Sequence, residues 1–451
     1  MAFVSIPAAN TRPTALVLGI GASSSVLLAL MMAFPMVLSL LYVKALLFAL
    51  LLVLVAVGFL TGHSQLDWRV GVWALGLATV SFFFAIRGFL AMTPGATPVA
   101  RLFILWPLVY TFWISGLAEP RMVQSLHRTA VVSTLFIGLY GCLYLLTQLK
   151  LIPETRLVSA LSFGWDVESF GTQEGYTAMA IAGMNSLPFL VPYVMASLAV
   201  PSSWLGHGRW WRIVLWIACA LSWFTVIAAG RRALLLVMFL SPLLIVFLRR
   251  LRPAAERSDG SRSMTKFFVA FAASILIIFV SLSLIYEFDP RLLWDRFANG
   301  FDLSAQAVDR GGAERRQQFI ALSRGWLNRP FWGAGLGASV LGSIRSETMP
   351  WSYELYYLSL LYQTGIVGIA AYAAGIAWIF WRGIKIVREG GQLGRIMIPM
   401  LVGCACFLIA TGTNPYLDRF DGLWVLFLPL AVINYRLSVF RKVAGPMSST
   451  T

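Results

Sequence analysis

Apolar stretches recur along most of the 451-residue chain, and each has about the twenty residues that a helix needs to cross a bilayer. We therefore predict about twelve membrane-spanning helices. They lie at roughly 14–33, 36–60, 70–91, 101–118, 129–148, 176–200, 212–229, 233–248, 267–286, 353–380, 396–411 and 422–438. The fold class that follows is all-α, a polytopic membrane protein.

Polar intervals divide this pattern. A short one lies at 149–175, and the longest runs from Glu287 to about Pro350, after which the chain returns to apolar sequence at Tyr353. We predict that both intervals are loops outside the membrane. The predicted organisation is nine spans in 1–286, a large loop in 287–352, and three spans with a tail in 353–451.

Composition supports the membrane class and excludes a soluble one. Hydrophobic residues make up 59% of the chain, charged residues 12%, and the mean hydropathy is +0.78. A soluble protein with this balance would expose large apolar patches. The cysteines all fall in apolar runs, which indicates small buried residues and predicts no metal site. They are Cys142, Cys219, Cys404 and Cys406.

The net charge of +16 would suggest a nucleic-acid partner in a soluble domain, but here the positive-inside rule explains it. Basic residues concentrate in alternate loops, near 121–128, 207–212, 249–266 and 382–395. We predict that these loops and both termini are cytoplasmic and that no nucleic acid binds. The loops that alternate with these are then predicted to face outward, and they are 92–100, 149–175, the turn at Gly230, 287–352 and 412–421.

Charged residues at the edges of apolar segments are the candidate catalytic residues. Arg231 and Arg232 occupy a turn with almost no polar flanks, where a charge is costly and often indicates a site. The alternative is a pair that reaches phospholipid headgroups. Glu354 lies just inside the start of a membrane helix, where an acid can also simply complement the helix dipole.

The large loop supplies candidate substrate-binding residues. Its eight basic residues are all arginines, whose planar guanidinium can hold two phosphate oxygens at once. The whole chain prefers arginine to lysine, so the location of these residues carries more weight than their number. The candidates in and beside the loop are Arg315, Arg316, Arg324, Trp326, Tyr353 and Tyr357.

The order of these features resembles a known family. A Gly230-Arg231-Arg232 turn is followed by a loop with Arg315, Arg316, Trp326, Pro330 and Gly333-x-Gly335, and then by a polar residue heading a helix that reaches Gly365-x-x-Gly368. The stretch from Thr413-Asn414-Pro415-Tyr416 to Asp421-Gly422, near the end of the chain, also resembles the corresponding part of that family. Together they are similar to the O-antigen ligase and polymerase superfamily of bacterial envelope glycosyltransferases, over roughly residues 170–435.

One departure favours the polymerase branch. Ligases of this superfamily carry a His-Asn pair where this chain has Glu354 and Leu355, eleven residues before the glycine that matches Gly365. Arg324 and Gly335, with ten residues between them, also match a spacing found in the polymerase branch. O-antigen ligase activity, in which glycan passes to lipid A core, stays open as an alternative.

The resemblance implies a GT-C-like membrane enzyme at the outer face of the bacterial inner membrane. It would polymerise undecaprenyl-diphosphate-linked oligosaccharide repeat units into a surface or secreted polysaccharide, without a metal or nucleotide cofactor. Its partners would be the lipid-linked glycan donor, the glycan acceptor, membrane lipids, a flippase and a chain-length regulator.

The candidate residues suit this chemistry. Arginines at the membrane surface can hold the diphosphate leaving group and stabilise the charge that develops there. The acceptor hydroxyl needs a base, and Glu354 can take its proton. Direct displacement would invert the anomeric centre. The rival from another class is a transporter or flippase of lipid-linked sugars, which would carry polar residues at mid-membrane depth across broken helices.

Overall fold

The computed structural model describes residues 14–35, 37–154, 156–161, 169–173, 176–200, 208–256, 261–286, 291, 310–340, 342–343 and 346–443. Within these residues, ten helices are long and apolar enough to cross a membrane. This finding bears out the all-α, multi-pass class. The loop residues 292–309 lie outside the described part.

The helices and strands have the following bounds. The first five helices are α1 (Ala15–Ala33), α2 (Leu41–Leu60), α3 (Trp68–Leu90), α4 (Ala96–Ser115) and α5 (Pro120–Gln148). Then come α6 (Arg156–Leu161), β1 (Ser169–Gln173), β2 (Tyr176–Ala180), α7 (Leu187–Ala199), α8 (Arg209–Ala229) and α9 (Arg232–Arg250). The last are α10 (Ser261–Tyr286), α11 (Arg310–Leu327), α12 (Tyr356–Glu389), α13 (Gly391–Thr411) and α14 (Trp424–Val443).

Two of the twelve predicted spans are not among these ten. They fall in α10 and α14, where the apolar helical stretches Phe271–Leu284 and Trp424–Val439 are shorter. The count of twelve and the position of the large loop outside the membrane therefore stay predictions.

The predicted span at 176–200 is wrong in its first part. Residues 176–180 form β2, which pairs with β1 in antiparallel register from Ser169 opposite Ala180 to Gln173 opposite Tyr176. Glu174 and Gly175 separate the strands in the sequence, and a two-residue spacing with glycine is typical of a hairpin. The membrane-length helical segment begins only at Ala182.

The core of the bundle surrounds α7, in which every residue except Leu198 is buried. This helix packs against α8, α9 and α13. The ring of Phe189 meets Trp424 edge-on at 4.9 Å, and a side chain at Gly403 would press on the same phenylalanine. A helix that is apolar on all sides is expected in the interior of such a bundle.

The connections between helices meet in two groups, which define two ends of the bundle. The site end is formed by residues 34–35, 37–40, 91–95, 181–186, 230–231, 328–340, 342–343, 346–355 and 412–423. There Lys44 pairs with Asp421, and the Gly95 N–H donates to the carbonyl of Gly337. At the opposite end, formed by residues 61–67, 116–119, 251–256 and 390–391, Gly391 N–H donates to Glu256. The grouping follows the predicted alternation of loops. Which end faces outward stays a prediction.

Candidate functional site

The Gly230 turn places Arg231 at the site end. Gly230 adopts the left-handed conformation (φ 60°, ψ 17°) that ends α8, a conformation that glycine takes without steric penalty. Arg231 is extended (φ −79°, ψ 118°), and α9 begins at Arg232. Both arginines are half-buried, and Nη1 of Arg231 donates to Oδ1 of Asn185 at 3.4 Å.

Glu354 forms an ion pair with one of the predicted substrate-binding arginines. Nε of Arg315 donates to Oε2 of Glu354 at 2.6 Å, and the two side chains are 32% and 15% exposed. The Glu354 N–H donates to Oε1 of the buried Gln318 at 3.0 Å, which fixes its backbone against α11. Glu354 itself precedes α12 and is not in its first turn. Its carboxylate is paired with Arg315, just outside the first turn of the helix.

Tyr416 is a member of the site that sequence reasoning missed. It is in the connection from α13 to α14, and burial raises the pKa of its phenol. The neighbouring guanidiniums of Arg231 and then Arg315 lower that pKa, and the carboxylate of Glu354 raises it. Tyr416 therefore lies among the three charged residues. The one signal in the sequence was the Thr413-Asn414-Pro415-Tyr416 stretch that carries the family resemblance.

The connection that holds Tyr416 is fixed on both sides. On one side Oγ of Ser352, two residues before Glu354, donates to Oδ2 of Asp418 at 2.6 Å. Farther along, Asp421 forms a fully buried ion pair with Lys44 at 2.9 Å, and Lys44 also donates to the carbonyl of Phe34 at 2.7 Å. A buried ion pair with a further hydrogen bond sets the position of this connection.

A glycine-rich segment holds α11 near the start of α12. The N–H groups of Gly335 and Leu336 donate to the carbonyls of Gln363 and Phe84, so the segment passes between α12 and α3. At Gly365 (φ 66°, ψ −172°) α12 is interrupted, and the gap admits the carbonyl of Phe331. This close packing of the Gly333-x-Gly335-x-Gly337 segment brings Arg315 within reach of Glu354.

The other predicted binding residues have separate positions. Arg316 and Arg324 lie on exposed positions of α11, and Trp326 Nε1 donates to the carbonyl of Pro330 at 3.1 Å. Tyr353 is buried, and its hydroxyl accepts from Val340 N–H at 2.7 Å. The Tyr357 hydroxyl donates to the carbonyl of Leu408 at 2.6 Å. The last three side chains thus have partners inside the protein.

Two cavities lie at the site end. One has a volume of about 90 Å³ and is lined by Trp351, Tyr356, Gln363 and Asp418 among others. The second has about 270 Å³ and includes Arg329 and Tyr362 in its wall. Neither is lined by Arg231, Arg232 or Glu354.

No protein-family model and no curated protein match this chain. Among the described residues, no group of three or more histidine, cysteine, aspartate or glutamate side chains could hold a metal ion. The resemblance to the ligase and polymerase superfamily, the absence of a cofactor and the branch assignment therefore stay predictions.

Proposed function

We propose that this protein is a membrane glycosyltransferase that joins undecaprenyl-diphosphate-linked repeat units into a polysaccharide. The observation that carries the proposal is the Glu354 carboxylate bound by Arg315 at one end of a membrane bundle, near a Tyr416 phenol that is close enough to be influenced by both of these charges and by Arg231. A carboxylate can act as a base, and the guanidiniums beside it can hold an anionic leaving group. The two groups that glycosyl transfer from a lipid diphosphate needs are therefore adjacent.

The arginines would bind the diphosphate. It concentrates negative charge at the membrane surface, and a guanidinium meets phosphate oxygens with two parallel hydrogen bonds. Arg231 directly precedes α9 and Arg315 lies on α11, so the two reach the site from different parts of the chain. Arg232 follows directly and adds a further positive charge at the same turn.

In the proposed reaction the acceptor hydroxyl attacks the anomeric carbon as the bond from that carbon to the diphosphate oxygen breaks. The hydroxyl proton passes to Glu354, and undecaprenyl diphosphate leaves with the electron pair. In the free protein Arg315 is paired with Glu354. An arriving diphosphate therefore competes with the Glu354 carboxylate for this arginine. Transfer of Arg315 to the diphosphate would leave the carboxylate able to accept the proton. Direct displacement inverts the anomeric configuration.

The setting follows from the same proposal. The site end faces outward from the bacterial inner membrane and both termini are cytoplasmic, in accordance with the basic residues of the alternate loops. The donor is a lipid-linked glycan and the acceptor a second glycan. A flippase would supply the donor, and a chain-length regulator would act on the product.

The decisive experiment uses purified protein in detergent with lipid-linked repeat units. Detergent has no compartments, so a transporter can form no product, whereas a transferase forms new glycosidic bonds. We expect lengthened chains on the lipid carrier. Transfer only to added lipid A core would indicate a ligase. If the protein is folded and no new glycosidic bond forms, the proposal is wrong.

A further inference from the structure

The seam between α3 and α12 carries an aromatic pair near the opposite end of the bundle. The rings of Trp73 and Trp378 stack with centroids 6.2 Å apart and an interplanar angle of 24°. Trp73 Nε1 also donates to the carbonyl of Gly375 at 2.9 Å. These contacts fix how the two helices face each other at this depth.

Two arginines lie one helical turn beyond this pair. Arg69 and Trp73 are four residues apart on α3, and Trp378 and Arg382 are four residues apart on α12, so each arginine shares a helix face with its tryptophan. Because α3 begins and α12 ends at the opposite end of the bundle, each arginine lies nearer to that end than its tryptophan does. The stacked tryptophans therefore place Arg69 and Arg382 side by side.

Aromatic rings flank both guanidiniums. Cζ of Arg382 is 4.6 Å from the ring centroid of Trp381 and 5.6 Å from that of Trp378. Cζ of Arg69 is 5.6 Å from the centroid of Trp68. Trp68 and Trp381 are 60% and 58% exposed. In a membrane bundle, exposed tryptophans at a helix end lie at the level of the lipid headgroups.

The charges of this cluster are not balanced within it. Arg69 repels the Arg382 guanidinium, and Asp67 attracts it. Asp67 is buried, and its Oδ1 accepts from the Arg69 N–H at 3.0 Å. The cluster thus holds two guanidiniums and one carboxylate. The Nε atom of Arg382 is buried and meets no acceptor among the described residues.

We infer that Arg69 and Arg382 bind the phosphate of an anionic phospholipid in the leaflet at the opposite end, with Trp68 and Trp381 against its glycerol and upper acyl chains. Paired guanidiniums suit a phosphate, and aromatic faces hold them in place. Anionic lipids are attracted to basic residues at the membrane surface. The inference is independent of the proposed transferase activity.

The test titrates phosphatidylglycerol, with phosphatidylcholine for comparison, into the full chain in detergent and counts bound lipid by native mass spectrometry. For the double variant R69Q/R382Q we expect the tightest phosphatidylglycerol to bind roughly thirtyfold more weakly, about fivefold for each arginine. Phosphatidylcholine binding should not change. The matched control is R209Q/R212Q on the exposed start of α8, at the same end, and it should weaken the tightest phosphatidylglycerol less than threefold.

A second variant guards against misfolding. Arg69 is exposed, so R69Q alone should fold and should show about a fivefold loss. Inorganic phosphate at millimolar concentration should not displace the lipid, because it lacks the acyl chains. If R69Q/R382Q binds phosphatidylglycerol as wild type does, or loses no more than R209Q/R212Q, the arginines are general surface anchors and the inference is wrong.

Discussion

At the scale of single residues, the Glu354 carboxylate has one observed role and one proposed role. Its ion pair with Arg315 is observed, and its position near Tyr416, whose phenol is also influenced by Arg231, suits the proposed role of a base. We predict that Glu354→Gln lowers the transfer rate by about a hundredfold or more, because the amide keeps the shape and cannot take the proton. The measurement is product formed per unit of folded protein.

Two companion variants separate these roles. Glu347→Gln changes an exposed acid on the same segment and should leave the rate near that of wild type. Glu354→His should restore part of the activity, because imidazole can accept a proton from a similar position. If Glu354 served only the ion pair, Glu354→Gln would lower thermal stability and leave turnover per folded molecule nearly normal.

Arg231 allows a sharper test of charge against geometry. Arg231→Lys keeps the positive charge but loses the planar fork that holds two phosphate oxygens. We predict that the variant expresses and folds, yet its transfer activity falls on the order of tenfold or more. A tenfold fall corresponds to about 1.4 kcal/mol of lost binding to the leaving group. Arg388→Lys, an exposed position at the far end of α12, is the control. Equal activity of both variants would remove Arg231 from the mechanism.

At the scale of elements, the glycine-rich segment holds the site together. Gly335 has φ 103°, and a Cβ there would lie 2.6 Å from the backbone nitrogen of Gly88. Gly335→Ala should therefore strain the backbone and push α3 from the segment, with a loss of about 1–3 kcal/mol from strain alone. The matched control is Gly342→Ala, where φ is 83° and the space is open.

The comparison isolates the clash, because both glycines have left-handed backbones. Thermal unfolding in detergent should show a clearly larger fall in midpoint for the Gly335 variant than for the Gly342 variant. Equal falls would mean that the segment does not pack on α3 as described.

The connection from α13 to α14 depends on its buried ion pair. Lys44→Met leaves the Asp421 carboxylate buried without its cationic partner, so we predict a loss of about 3–5 kcal/mol in stability. The double variant Lys44→Met with Asp421→Leu should recover part of that loss. Thermal midpoints of the wild type and the three variants, with the single Asp421→Leu included, measure the coupling. Additive losses would contradict a direct pair.

At the scale of the whole molecule, the prediction concerns which end faces outward. Thr348 is exposed at the site end and Thr61 is exposed at the opposite end. With the half-buried Cys142 replaced by alanine, a cysteine at Thr348 should react with a membrane-impermeant reagent added to intact cells, and one at Thr61 should not. The reverse pattern would invert the topology and place the site in the cytoplasm. Ala338, a natural choice from the loop sequence, is buried and unsuitable.

The sequence by itself determined the multi-pass helical class and most of the helix positions. Hydrophobic run length is a local property, and a bilayer imposes a fixed minimum length on it. It also identified Arg231 and Glu354 as candidates, since a charge at the edge of an apolar segment is costly and therefore visible in one dimension. Arg315 was identified as one of the arginines of the large loop. The second strand of the hairpin was misassigned because Tyr176–Ala180 is apolar enough to extend the next span.

Only the tertiary structure decided which residues meet. Arg315 and Glu354 are 39 positions apart, and the sequence named both without pairing them. Tyr416 carries no charge in its usual state and lies in a short connection, so its only signal was the Thr413-Asn414-Pro415-Tyr416 stretch of the family resemblance, which did not place it beside Glu354 or the arginines. These contacts depend on how the glycine-rich segment passes between α3 and the break in α12. That packing joins distant parts of the chain, and hydrophobic patterning along one segment cannot specify it.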